Sequence, residues 1–358
     1  MAEKPRRRDV LKGIGGLAVV VAASGLGAPR PVDAQRRLEG QSLRVQFWAG
    51  PEGQTIRTHV VDPFVQKTGA RVIATEGWTS VSIAKIRAER ANPSTSVYLM
   101  DDIGVITTGR EGLLEPLDLS RLPNATDIHP RFFVEGKGVG FYTYITTLAY
   151  NTNLVKTPPT SWKVLWDPQY KGKVAILPVG ATPVLLLAII AAIVHGGSQY
   201  HMEPAWDALR ALKPNIAVME ANAAVVAELL RTGEVALVMR TVYVLKPYIE
   251  KGYPIATALN LKEGIFATPG CAAIVKNHPD KREIADAFVN ETLSAEAQTR
   301  MAHAQWFGPT NRKVKLPPEV ARNLVSTPEQ WDSIIPVDLD NLAARREEWI
   351  QKITRALL

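Results

Sequence analysis

The chain has 358 residues, 46% of them hydrophobic and 22% charged, a globular composition with length for about two domains at roughly 150 residues each. A disordered or fibrous protein is excluded. Lys and Arg number 42 against 35 Asp and Glu, a formal +7, but the first 34 residues hold six of the bases and three of the acids, so the remainder carries +4. That bias is too mild to argue for nucleic acid. The one cysteine, Cys271, excludes an internal disulfide framework and a cysteine-based zinc cluster.

Arg7 and Arg8 stand ahead of Asp9, Val10, Leu11 and Lys12, and an uncharged Gly- and Ala-rich run follows over 13–26. The pattern resembles a twin-arginine export signal over residues 1–34, cut after about Ala34. The run falls short of the roughly 20 residues that span a bilayer, and an uncleaved anchor is the alternative. The mature chain is then expected in the periplasm. A later apolar stretch, 184–194, stops at His195-Gly196-Gly197 and reads as a buried core helix.

In chain order, alternation over 43–48 predicts a strand, and residues 49–53 break it before a helical pattern that runs to Lys67 and stops at Thr68-Gly69. A strand over 72–75 follows. An amphipathic helix over 80–91 has Ile83, Ile86 and Ala88 inward, and a strand over 97–100 runs into Asp101-Asp102. The β-branched and aromatic run 139–150 predicts a strand crossing between lobes. A second set comprises a strand over 173–176, helices over 183–194, 203–212 and 223–231, and a strand over 235–239 that opens into Arg240-Thr241. Residues 264–267 and 271–275 read as a strand pair interrupted by Thr268-Pro269-Gly270, and helices over 280–291, 295–304 and 339–358 follow. Strands alternating with helices predict an α/β fold with a mostly parallel sheet.

Enzyme signatures are missing: no Gly-x-x-x-x-Gly-Lys-Ser/Thr loop, no Gly-x-Gly-x-x-Gly, no Gly-x-Ser-x-Gly and no His-Glu-x-x-His. Of the scattered histidines, only His195 and His201 are near one another, across a Gly-Gly pair that does not place two ligands on one helix face. A carboxylate-based hydrolase assembled from distant residues stays open as a second class of function.

Several local patterns then coincide. Val45 to Trp48, Tyr150-Asn151-Thr152, Pro159-Thr160-Ser161-Trp162 leading to Lys171-Gly172-Lys173, Gly233-Glu234, Glu263 to Phe266 and Phe307 to Asn311 occur in an order that resembles the periplasmic solute-binding proteins of ABC importers. The resemblance is specifically to the spermidine/putrescine-binding-like group and runs over about 42–355. The resemblance implies a two-lobed periplasmic-binding-protein fold: lobe 1 over 42–145 and 270–316, lobe 2 over 146–269, and a C-terminal helical flank over 317–358. Hinge segments are expected near 146–149 and 268–273. It also implies a small polar solute as ligand, importer membrane subunits as partners, a monomer, no cofactor and no catalysis.

Trp48, Asp101, Arg240 and Thr268 fall at strand ends, where open α/β sheets bind ligands. Asp101 and Asp102 would repel unless solvated, capping a helix or facing a cation; Asp102 is read as the cap of a helix starting at Ile103, leaving Asp101 freer to bind. Arg240 suits bidentate capture of a carboxylate or phosphonate, with a surface or interlobe salt bridge as the alternative. Trp48 is expected as a site wall. Thr182, Tyr243 and Thr268 complete the candidates, while Tyr142 and Trp306 read as structural. Polyamine-binding members carry Trp-x-Asp where this chain has Ala267-Thr268-Pro269, and they have Ser-Thr where this chain has Asp101-Asp102. An acid and an Arg on opposite lobes suit a ligand with both amine and acid groups. The alternatives are an iron- or anion-binding member of the same class and an exported cleft enzyme. Ferric ion is disfavoured because Thr241-Val242-Tyr243 supplies one tyrosine where iron-binding relatives use adjacent ones.

Overall fold

Leu43, Val45 and Phe47 alternate along β1 (Ser42–Phe47) and are fully buried, as a strand with one face on a core requires. A computed structural model describes residues 38–358; the twin-arginine segment and the cut after Ala34 lie outside the described residues. After β1, α1 (Gly50–Ile56) continues through a π turn at Arg57–Val61 into α2 (Asp62–Thr68). Gly69 ends this run in the left-handed conformation, φ 71°, which costs glycine least.

There follow β2 (Arg71–Glu76), α3 (Thr79–Ala88), β3 (Val97–Asp101) and α4 (Asp102–Arg110). On α3 Ile86 is buried and Ile83 half-buried, whereas Ala88, expected inward, is exposed because the helix ends there. The short β4 (Phe133–Val134) and the 14-residue β5 (Gly138–Asn151) come next. The second set comprises β6 (Val174–Ile176), α5 (Thr182–Val194), α6 (Glu203–Leu212), β7 (Ile216–Met219), α7 (Ala223–Thr232), β8 (Leu237–Thr241), α8 (Lys246–Glu250) and β9 (Ile255–Ala258). The chain closes with β10 (Phe266–Ile274), α9 (Arg282–Thr292), α10 (Ala295–Gln305), α11 (Pro318–Ala321), α12 (Pro328–Asp332) and α13 (Leu339–Leu357).

The strands form one sheet in the order β2-β1-β3-β10-β5-β8-β6-β7, with β4 and β9 also paired to β5. Pairing is parallel at both flanks, β1 with β2 and β3 on one side and β6 with β7 and β8 on the other. It is antiparallel in the middle, where β10 meets β3 and β5, and β5 meets β8. The long strand β5 serves both flanks: it pairs with β10 up to Thr146 and with β8 from Thr146 onward.

The expected strand pair around Thr268-Pro269-Gly270 is a single strand, β10, with a register shift between Gly270 and Cys271. Pro269 lacks the N–H of a regular ladder, so this irregularity is where a strand tolerates it. Gly270 is required by contact: a Cβ there would come within 2.2 Å of the ring of Tyr142.

The largest apolar core runs beneath both flanks of the sheet. Helix α5, with Leu185, Ala188, Ile190 and Ala191 fully buried, is the core helix that its unbroken apolar run predicts. No helix among the described residues is long and apolar enough to cross a membrane. Trp349 and Ile353 bury one face of α13, which packs against α6.

Candidate functional site

The C-terminal ends of β1, β3, β6 and β8 converge on a cavity of about 330 Å³ lined by Trp48, Glu52, Trp78, Asp101, Tyr144, Leu177, Pro183, Arg240, Thr241, Tyr243 and Val244. Within each flank, parallel strands place the residues that follow them on one rim, and because β1 and β3 run opposite to β6 and β8 the two rims point at each other along β5, which is why distant parts of the sequence meet here. A larger open groove of about 900 Å³ between α6 and α13 lacks this convergence of strand ends.

One side of the cavity is acidic. Asp101 ends β3, and its carboxylate accepts from the Thr79 hydroxyl at 2.8 Å and from the Tyr144 hydroxyl at 3.2 Å. The Asp101 N–H donates back to Thr79 Oγ1 at 3.1 Å, fixing the threonine rotor. Glu52, buried on α1, accepts from the hydroxyl of the fully buried Tyr142. Tyr142 in turn stacks on Phe307 at 4.3 Å between ring centroids and meets the edge of Trp48 at 5.9 Å. Burial pushes the Glu52 carboxyl up to about 7 against the pull of the Tyr142 hydrogen bond, with Asp101 adding like charge. Burial also raises Asp101, and it raises Asp102 to about 7 with further help from the Asp101 charge. Narrow protein walls desolvate both aspartates although each keeps some surface toward a cavity.

The opposite side carries Arg240, on β8 and only 7% exposed. Its Nη2 donates to the Ala221 carbonyl, while Nη1 has no partner among the described residues. Burial lowers this guanidinium from its usual value, partly offset by Glu220, yet arginine holds its charge in proteins. Helix α5 begins beside it: Pro183 lines the cavity, and the preceding Ala181 gives the helix no side-chain cap. The positive end of the helix dipole thus adds to the arginine. A buried cation with an unused donor, facing desolvated carboxylates across one cavity, can grip a molecule that carries both an acid and an amine.

Of the residues singled out from sequence, Trp48, Asp101, Arg240 and Tyr243 line this cavity. Asp102, Thr182 and Thr268 line an adjoining cavity of about 420 Å³ that shares Asp101 and Tyr144 with the first. The capping expectation is off by one residue: α4 starts at Asp102, Asp101 occupies the cap position without a side-chain cap bond, and the Asp102 carboxylate accepts from the Ile103 N–H at 2.8 Å. Trp48, expected as a wall, is 2% exposed and forms a floor, while the open aromatic at the cavity is Trp78, 58% exposed. Glu52, Trp78 and Tyr144 escaped the sequence reading. Glu52 sits in the Gly-Pro-Glu-Gly segment just past β1, and a carboxylate at that strand end was the available signal. Among the described residues no group of three or more His, Cys, Asp or Glu side chains is placed to hold a metal ion.

Comparison with known proteins places the fold in a family. Residues 59–326 match the family of bacterial extracellular solute-binding proteins. A Salmonella typhimurium protein named for 2-aminoethylphosphonate binding in the periplasm is 24% identical over 260 residues, 71% of this chain and 73% of its own length. The spermidine/putrescine-binding periplasmic protein of Escherichia coli is 24% identical over 322 residues, 82% of this chain and 87% of its own. An ABC transporter structure from Clostridium perfringens shares the fold with a TM-score of 0.75 and 23% identity, over 88% of this chain and 100% of the other. Matched over most of its length, the chain belongs to the family of bacterial extracellular solute-binding proteins.

Proposed function

We propose that this protein captures a small solute bearing both an amine and an acid group in the periplasm and delivers it to the membrane subunits of an ABC importer. The observation that carries this reading is one cavity shared by Glu52, Asp101 and Arg240, whose Nη1 is buried and has no partner among the described residues. A polyamine has no group to satisfy that donor, and a simple anion has no N–H to offer the acceptors of Glu52 and Asp101. 2-Aminoethylphosphonate, which gives the Salmonella relative its name, carries both charges.

In this reading the chain is exported through its twin-arginine segment with the cut after about Ala34, and it acts as a monomer without cofactor or catalysis. Lobe 1 spans 42–145 and 270–316, lobe 2 spans 146–269, and 317–358 flanks them. The lobes close on the ligand about β5 and the return into β10, because a ligand touching both sides favours the closed form only through contacts that the open form lacks. Thr182, Tyr243 and Thr268 contribute rim contacts.

Calorimetric titration with 2-aminoethylphosphonate, 4-aminobutyrate, putrescine, inorganic phosphate and ferric citrate tests the reading. The zwitterions are expected to bind with the ligand recovered unchanged. Binding by putrescine, phosphate or ferric citrate alone, or conversion of any ligand to product, would overturn it.

A further inference from the structure

The second cavity, about 420 Å³, adjoins the cleft at Asp101 and Tyr144 but differs from it in chemistry. Past the Asp101 and Asp102 carboxylates, and beside Arg131, whose Nη1 donates to the Trp331 carbonyl, its lining is mainly apolar, with Phe266 and Ala267 on β10, Leu186 on α5, Ile335 and Val337 on the segment leading into α13 and Leu339 at the start of that helix. Leu186, Ile335, Val337 and Leu339 are only half-buried, so each keeps apolar surface that an occupant could remove from water.

The outer wall is fixed from both flanks of the molecule. The Ile335 N–H donates to the Ile265 carbonyl at 2.8 Å, the Asp338 N–H donates to Gln199 Oε1 at 2.7 Å, and Arg110 pairs with Asp340 at 2.6 Å. This segment lies beyond residues 59–326, the part matched by the family. A chamber with braced walls, an acidic junction and an apolar interior has the makeup of a small-molecule subsite.

We propose that this chamber receives an apolar arm carried on the ammonium nitrogen of the cleft's solute, which makes the ligand class N-alkylated amino acids or aminophosphonates. The inference rests on the proposed cleft, with the acid group on Arg240. A secondary ammonium keeps its charge and two N–H donors for Asp101 and Asp102, while its substituent covers the apolar wall. A bare amine fills the junction and leaves that wall wet.

Calorimetry on the purified protein with 2-aminoethylphosphonate and its N-butyl derivative, and with putrescine and N-butylputrescine, tests this directly. The N-butyl form is expected to bind about tenfold tighter or better than its parent, given the stabilisation of each buried methylene. In Ala267→Phe, which fills the chamber from β10, the two forms should bind alike. Val337→Phe fills it from the opposite wall and serves if the first variant fails to fold. If 2-aminoethylphosphonate binds while its N-butyl form binds no tighter, the subsite is overturned and the cleft stands, whereas putrescine bound in its place overturns both. A butyl gain that survives both filling variants also overturns it. Binding of neither parent overturns the cleft and the subsite together.

Discussion

The two sides of the cleft hold their charges differently. The carboxylates stand in a dense scaffold: Thr79 and Tyr144 donate to Asp101, Tyr142 donates to Glu52, and Phe307 and Trp48 brace Tyr142. Among the described residues Arg240 has one backbone carbonyl as partner and an unused Nη1. The acidic side is thus built to hold its shape when empty, and proton uptake relieves its charge. The basic side cannot shed its charge and depends on the ligand for its missing partner. On the proposed reading the first flank positions the amine, and the second gains the missing partner of Nη1 when the acid arrives.

Breaking the scaffold should have the largest effect. In Gly270→Ala the new methyl would lie 2.2 Å from Tyr142 Cε1 and 2.7 Å from its hydroxyl. Tyr142 is fully buried and stacked, so it has little room to yield. We expect about 2 to 3 kcal/mol of destabilisation, read from chemical denaturation. A change under about 0.5 kcal/mol would show that the acidic side is softer than described.

Titration sharpens the comparison. Glu52 and Asp102, raised to about 7 in the folded protein, carry protons there that the unfolded chain has released. A cationic ligand favours their ionised forms, so binding an amine expels protons and affinity rises with pH through about 7, by up to about tenfold per unit for one proton released. Calorimetry in buffers of different ionisation enthalpy measures that release, and Glu52→Gln should reduce it. The empty protein shows the opposite slope. From roughly pH 4 to 7 its folded state binds more protons than its unfolded state, so stability falls as pH rises. Melting temperatures at pH 5 and pH 8 should converge in the Glu52→Gln, Asp102→Asn double variant. A slope that persists there would assign the effect to other groups.

The smallest effect is expected from Tyr144→Phe, which removes one of the two hydroxyl donors to Asp101. Ligand affinity should fall about three- to tenfold, as loss of one hydrogen bond implies, with stability little changed.

The strand and helix order was legible because it is written locally, in period-2 runs and in stops such as Gly69. Asp101 and Arg240 were legible for a related reason: Asp101 ends a buried strand and Arg240 is next to last on another, and strand ends are where such sheets bind. Glu52 was not, because its burial and its Tyr142 partner come from packing 90 residues apart in sequence. Pro269-Gly270 read as a break, since a one-residue register shift inside a strand leaves the same residues as a turn. The C-terminal segment reads as a flank from its amphipathic pattern, which cannot reveal that Ile335, Val337 and Leu339 turn toward a cavity rather than a core.

The claim that one ligand is held by opposite charges on opposite sides is tested most directly by titrating the same amine- and acid-bearing ligand into Asp101→Asn, Arg240→Met and Trp48→Ala. Charge-assisted hydrogen bonds predict losses of about ten- to a hundredfold for each of the first two, with a smaller loss at Trp48. A dissociation constant that moves by no more than about threefold, roughly 0.65 kcal/mol, in all three would place the site elsewhere.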